Sequence, residues 1–253
     1  LLNHLGHSST TFNMKFTNST VTNNEITVNG IDHNYFIIYT QGCYPGAFDN
    51  RDYNGSYGED CIAEKFTTIE NGVAVFVGNT RYGWYMPGGT DSSSQYFDRQ
   101  FFHALFDTEN TKVSEANNYS KIQGISQCAD DPWFRWTFYE LTVFGDPTLD
   151  AWTSVPSIFT PQYPESIPIS ANNIEINVGV ENALVGISRN GQNLFNGRTD
   201  ESGIITAFFL QPFETIDELD IYISKHNYLT HTGSIIISPS DNPYIILNNF
   251  GVI

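Results

Sequence analysis

The sequence predicts an α/β domain followed by an all-β sandwich, and three observations carry that prediction. Up to about residue 153, short continuous apolar runs alternate with segments of helical period, as in strands buried between helices. From about Ser154 the runs become shorter and alternate with period two, broken by tight-turn residues. The chain has 253 residues, which is long enough for both units.

The elements follow in order. Leu1-Leu2-Asn3-His4-Leu5-Gly6 reads as a strand that ends at His7. Asn34-Tyr35-Phe36-Ile37-Ile38-Tyr39-Thr40-Gln41 reads as a second buried strand, ending at Gly42-Cys43. Ile62, Phe66 and Ile69 fall on one face of a helix led in by Gly58-Glu59-Asp60 and closed by Gly72. Val73-Ala74-Val75-Phe76-Val77-Gly78 is a third strand, after the turn Asn71-Gly72. Residues 96–106 and 133–144 are aromatic-rich and read as helices packed on the sheet. In the second unit, Ile174-Glu175-Ile176-Asn177-Val178 alternates strictly. Leu184-Val185-Gly186-Ile187-Ser188 and Gln192-Asn193-Leu194-Phe195 flank Asn190-Gly191, a hairpin signal because a type I′ turn needs positive φ at both central residues. Asp200-Glu201-Ser202-Gly203 is a further turn before the strand at 204–209, and residues 219–223 and 234–237 supply later strands. About seven such strands make a sandwich of roughly 85 residues, spanning 154–238. Residues 239–253 read as a linker and the start of a further module.

Composition narrows the function. Against 11 Lys and Arg stand 28 Asp and Glu, a net charge of −17. Such a surface repels nucleic acid and anionic membranes, so neither is expected as a partner. Only 15% of residues are charged while Asn, Ser, Thr and Tyr abound, which points to a secreted or cell-surface protein. No apolar run approaches the roughly 20 residues of a membrane span. The chain begins with Leu and shows no signal peptide, and it reads as a fragment or processed product cut upstream of a strand. Three cysteines leave at least one free unless it pairs with another chain. Cys61 and Cys128 are open to a disulfide that spacing does not decide.

The chemistry lies at two strand ends. Open α/β sheets place their functional groups beyond the carboxyl ends of the strands. Neighbouring strands that end in His7 and Cys43 would set a general base beside a nucleophile, the arrangement of cysteine-dependent acyl transfer. Taken singly, Cys43 also reads as a buried structural thiol and His7 as a structural histidine. His4 competes as the base, but it lies inside the strand run, where a side chain faces the sheet. Cys61 and Cys128 have no nearby histidine and read as structural. Asn50, Asp52 and Asn54 followed by Gly55 repeat the first half of an EF-hand spacing. The twelfth position is Cys61 where the closing Glu belongs, so a solvated polar loop is the favoured reading.

Several short motifs extend this pattern: Gly6-His7, Gly42-Cys43 followed by Ala47-Phe48-Asp49, Cys61 opening a helix, Val75-Phe76-Val77-Gly78 with Trp84 soon after, Phe144-Gly145-Asp146-Pro147, and Asn227-Tyr228-Leu229. On these residues the chain resembles the gingipain-type family of cysteine peptidases over almost its whole length. The resemblance implies a caspase-like α/β catalytic domain in residues 1–153, partial here because its N-terminal strands belong upstream. It implies an immunoglobulin-like sandwich after it. Cys43 becomes the nucleophile and His7 the general base, with an oxyanion hole from the backbone N–H groups of Ser8 and Cys43. Ser8 stands where the family usually has glycine. Trp84 helps wall the pocket for the residue before the scissile bond, or is a packing residue of its loop. The family's acidic pocket floor and any third catalytic residue lie upstream of the histidine, so residue preference is not carried over.

The expected function is a secreted cysteine endopeptidase acting through a Cys-His dyad and a thioester acyl-enzyme. The alternative is a non-catalytic surface module, for binding or structure, that retains the fold; transpeptidation through the same thioester is a third. The expected partners are a protein or peptide substrate and an N-terminal segment or chain that completes the catalytic sheet. The chemistry requires no cofactor, and calcium is expected at most as a structural ion.

Overall fold

The apolar runs of the first unit form a four-stranded sheet in a computed structural model that describes residues 1–30, 33–108, 110–211 and 213–239. The chain divides into two units, Leu1–Thr153 and Ser154–Ile253. In the first, β1 (Leu2–His4) is followed by a two-strand ribbon, β2 (Phe12–Asn13) and β3 (Phe16–Thr17). Then come β4 (Ile37–Thr40), α1 (Ile62–Thr68), β5 (Val75–Asn79), α2 (Ser93–Asp107), α3 (Val113–Gln123), α4 (Ile125–Asp130), α5 (Pro132–Glu140) and β6 (Leu141–Gly145). The sheet order is β1-β4-β5-β6. β1, β4 and β5 are parallel and β6 is antiparallel to β5.

Burial explains the continuous apolar runs. Every residue of β4 and β5 is buried. Side chains alternate between faces. Ile38 and Phe76 join Ile62 and Phe66 of α1 in one core. Ile37, Tyr39, Val75 and Val77 meet Phe97, Phe101 and Leu105 of α2 and Val113 and Ala116 of α3 in the other. With helices on both faces, alternate positions on each strand must be apolar. α1 begins after Cys61, whose backbone N–H donates to the Glu64 carboxylate at 2.9 Å, and Ile69 lies just beyond its end.

One expectation is corrected and one open question is settled. Residues 133–144 are not one helix: α5 ends at Glu140, and Leu141 starts a strand with no intervening loop. α5 is set by Asp131, whose carboxylate accepts the Trp133 N–H at 2.7 Å, and by Pro132 in the first turn. The aromatic run continues across the junction, so composition alone does not mark the change of period. The open disulfide is also settled. All three cysteines are free; Cys61 is buried on the α1 side of the sheet and Cys128 packs against the core on the other side.

In the second unit the described residues hold seven strands: β7 (Ser166–Pro168), β8 (Asn173–Asn177), β9 (Leu184–Arg189), β10 (Gln192–Arg198), β11 (Ile204–Phe208), β12 (Asp217–Ser224) and β13 (His231–Ser238). One sheet has the order β10-β9-β12-β13-β7, and β8 pairs with β11 in the other. Ile174 and Ile176 of β8 share one core with Val185, Leu219, Ile221 and Ile235 of the larger sheet. The two sheets therefore close face to face on alternate residues. Asn190 and Gly191 both have positive φ, 50° and 77°, and Arg189 pairs with Gln192, as a type I′ hairpin requires. The linker and further module expected at 239–253 lie, from residue 240 on, outside the described residues.

Candidate active site

Parallel pairing brings the two candidate groups to one edge. His4 of β1 is in register with Thr40 of β4, so the residues beyond each strand emerge side by side. Ser8 Oγ donates to the Cys43 carbonyl at 2.7 Å and ties the two segments together. Their approach leaves no room at Gly42, where a Cβ would sit 2.1 Å from Ser8 Oγ. From the end of β5, Asn79 Nδ2 donates to the carbonyls of Gln41 (3.2 Å) and Gly42 (3.1 Å). The following loop lies against the same segment. A Cβ at Gly83 would come within 1.9 Å of the Gln41 carbonyl, and Tyr44 N–H donates to the Arg81 carbonyl at 2.6 Å.

These segments enclose a cavity of about 420 Å³. Its lining includes Leu5, His7, Gln41, Cys43, Trp84 and Gln95. His7 is exposed, and its ring has no hydrogen-bond partner among the described residues. Cys43 is half-buried, and its thiol donates to the Gly83 carbonyl at 3.7 Å. Burial pushes the Cys43 thiol above its ordinary pKa, and the nearby Glu140 adds to this, while the Gly83 contact opposes it. Such a thiol stays protonated until a base takes the proton.

The other candidates fall in distinct places. His4 turns into the strand pair, with Nδ1 2.8 Å from Thr40 Oγ1, and burial lowers its pKa. It is not part of the cavity lining. Trp84 both lines the cavity and packs: its ring lies 4.2 Å from that of Trp133, and its backbone is held by Ser94 Oγ and Ser92 Oγ at the start of α2. Ser8 sits beside Cys43, with its hydroxyl on the Cys43 carbonyl. In the 50–58 loop, Asp52 Oδ1 accepts the N–H groups of Asn54 (2.8 Å) and Ser56 (2.9 Å). That carboxylate is engaged with its own backbone, and among the described residues no group of three or more His, Cys, Asp or Glu converges on a metal position.

Sequence reasoning missed Gln41 and Gln95. Gln95 arrives from the first turn of α2, a contact that no local pattern announces. One turn on, Asp98 is buried, its Oδ2 3.3 Å from Asn3 Nδ2. Burial pushes its carboxyl up to about 6, against the pull of Asn3 and Gln41.

Comparison with known proteins gives a consistent picture. Peptidase family C25 matches residues 1–152. The crystal structure of the Arg-specific cysteine proteinase gingipain R (RgpB) superposes with a TM-score of 0.69 at 17% identity, covering 93% of this chain and 52% of that one. A complex of Porphyromonas gingivalis RgpB pro- and mature domains gives 0.67 at 17% identity, covering 93% and 53%. A third structure, described as a protease, gives 0.65 at 20% identity, with the same coverage. At these identities the likeness is one of fold. The chain spans about half the length of these structures. No curated protein matches. Among the described residues no helix is long and apolar enough to cross a membrane.

Proposed function

Since the chain belongs to peptidase family C25, we propose that it carries the dyad of a secreted cysteine endopeptidase, with Cys43 as nucleophile and His7 as general base. The observation that carries this reading is the single cavity lined by both residues from adjacent parallel strands. Because burial holds the thiol in its protonated form, proton transfer to His7 accompanies attack on the scissile carbonyl. The tetrahedral oxyanion is received by the backbone N–H groups of Ser8 and Cys43, which have no other acceptor among the described residues. Collapse of that intermediate forms a thioester on Cys43 while His7 delivers its proton to the leaving amine. Water, deprotonated by His7, then releases the acid.

Trp84 walls the cavity for the residue before the scissile bond. The arginine preference of gingipain R is not transferred, since the likeness to it is one of fold. The exposed edge of β1, with Leu1, Leu2 and Leu5 open to solvent, supports an N-terminal segment or chain that completes the sheet. The second unit is read as an immunoglobulin-like domain that contributes no catalytic group.

The test is alkylation of the full chain with iodoacetamide or a peptidyl chloromethyl ketone, mapped by mass spectrometry. Cys43 is expected to react. Cys61 is expected to stay inert, because burial pushes its thiol up to about 12. Modification of Cys61 or Cys128 with Cys43 untouched would overturn the assignment.

A further inference from the structure

The row of strand ends that presents His7 and Cys43 continues across the sheet. β6 runs antiparallel, and its first residue, Leu141, pairs with Asn79 at the end of β5. Glu140, the last residue of α5, therefore stands at the same edge, and its carbonyl accepts the Thr80 N–H at 3.1 Å. Here a second cavity of about 380 Å³ opens. It shares no lining residue with the cavity beside Cys43. Its apolar walls are the exposed side chains of Phe48, Trp136 and Tyr139.

The charged groups of this cavity are unevenly matched. Arg81 is satisfied: its two terminal nitrogens meet Asp49 Oδ1 at 3.2 Å and Oδ2 at 2.6 Å. Glu140 is not. The residue is 5% exposed, and both carboxyl oxygens are buried without completing a hydrogen bond. The Trp136 indole, the Arg81 backbone N–H and the charge of Arg81 offset only part of the burial. An unpaired buried carboxylate is costly, so the group keeps its proton, with its pKa pushed up to about 8. Aromatic faces around an unmatched carboxyl form a receptor for a cation. The net charge of −17 draws cations toward the surface.

We propose that this cavity is a second substrate subsite that takes the side chain of a lysine or arginine of the polypeptide, its stem between the aromatic walls and its cationic head against Glu140. Binding uncovers the buried carboxyl, expels its proton to solvent and leaves an ion pair in the cavity. The subsite is separate from the cavity beside Cys43, so it selects a residue other than the one before the scissile bond. The inference rests on the proposed peptidase activity only for the identity of the ligand.

Two arms test it. The first needs no catalysis. Full-length Cys43→Ala protein is titrated with Nα-acetyl-lysine amide or Nα-acetyl-norleucine amide at about 0.15 M salt, following the Trp136 indole signal by NMR. Saturable binding of the lysine amide is expected. Binding roughly tenfold weaker, or more, is expected for the norleucine amide and after Glu140→Gln or Tyr139→Ala; Tyr139 is an exposed wall whose loss leaves the core intact. Equal responses to the two amides, or no saturable response, would overturn the proposal. The second arm maps cleavage sites in a peptide library. The protein is expected to favour a basic residue at one position away from the scissile bond, and Glu140→Gln to lose that preference. Cleavage without such a Glu140-dependent preference strikes the subsite. Absence of cleavage, with lysine binding intact in the first arm, strikes the peptidase reading and leaves the subsite standing.

Discussion

Replacing Glu140 by glutamine isolates the energetic consequence of a buried, unmatched carboxyl. The folded protein holds the Glu140 proton to about pH 8, while the unfolded chain releases it near its ordinary 4.5. Between these values the unfolded state binds fewer protons, so stability is full below pH 4.5 and falls as pH rises toward 8. The slope is about 1.4 kcal/mol per pH unit for one group, and the whole window amounts to at most about 5 kcal/mol. For a unit of this size that is a fall of roughly 3–5 °C in Tm per pH unit. Glutamine has nearly the shape of the protonated acid and no charge to bury. Wild type and Glu140→Gln should therefore melt together near pH 5, with the variant increasingly more stable toward pH 8. Asp98, raised to about 6, adds a fall of the same sign at lower pH. His4, lowered by burial, adds the opposite trend as pH falls. Both are common to the two proteins and cancel in the difference. All four tryptophans, Trp84, Trp133, Trp136 and Trp152, lie in the first unit, so tryptophan fluorescence during thermal unfolding reports this unit. A difference in Tm that stays flat or shrinks between pH 5 and 8 would refute the reasoning.

Three further outcomes are expected. His7→Ala should reduce kcat by orders of magnitude with an unchanged melting curve, because the ring is exposed and has no hydrogen-bond partner among the described residues; His4→Ala should lower stability by about 1 kcal/mol through loss of its Thr40 contact and retain most activity. Steady-state kinetics and thermal melts of both variants decide, and the reverse pattern would show that the wrong histidine was assigned. Gly191→Val forces a β-branched residue to φ 77° and should destabilise the second unit by about 1–3 kcal/mol, read as a lower midpoint in its denaturant unfolding.

The chain wrote some of this plainly and some not at all. β4 and β5 were legible because strands covered on both faces must be apolar throughout, and the residues beyond them, Cys43 and the Gly83-Trp84 loop, followed from that. The Asn190-Gly191 hairpin was legible because its positive φ values restrict residue choice. α3 and α4 went unread: α3 buries only Val113, Ala116, Asn117 and Ser120, and α4 buries nothing, so neither carries a strong apolar period. The break at Glu140 was hidden because the helix passes into β6 without a turn residue. Glu140 lies at that hidden break and drew no reading of its own. Its burial, like the arrival of Gln41 and Gln95 beside Cys43, depends on contacts between distant segments that no local pattern encodes.

The loop after β5 joins two regions with very different tolerance of change. At Gly83 any side chain would collide with the Gln41 carbonyl, and Asn79 holds the same segment by its amide. Two and three residues further on, Tyr85 and Met86 are 69% and 55% exposed. Heritable variation can therefore explore new contacts for a bound chain at 85 and 86 while the position of the thiol stays fixed. For anyone seeking to redirect such a scaffold, the place to randomise begins at Tyr85, and Gly83 and Trp84 are to be left alone.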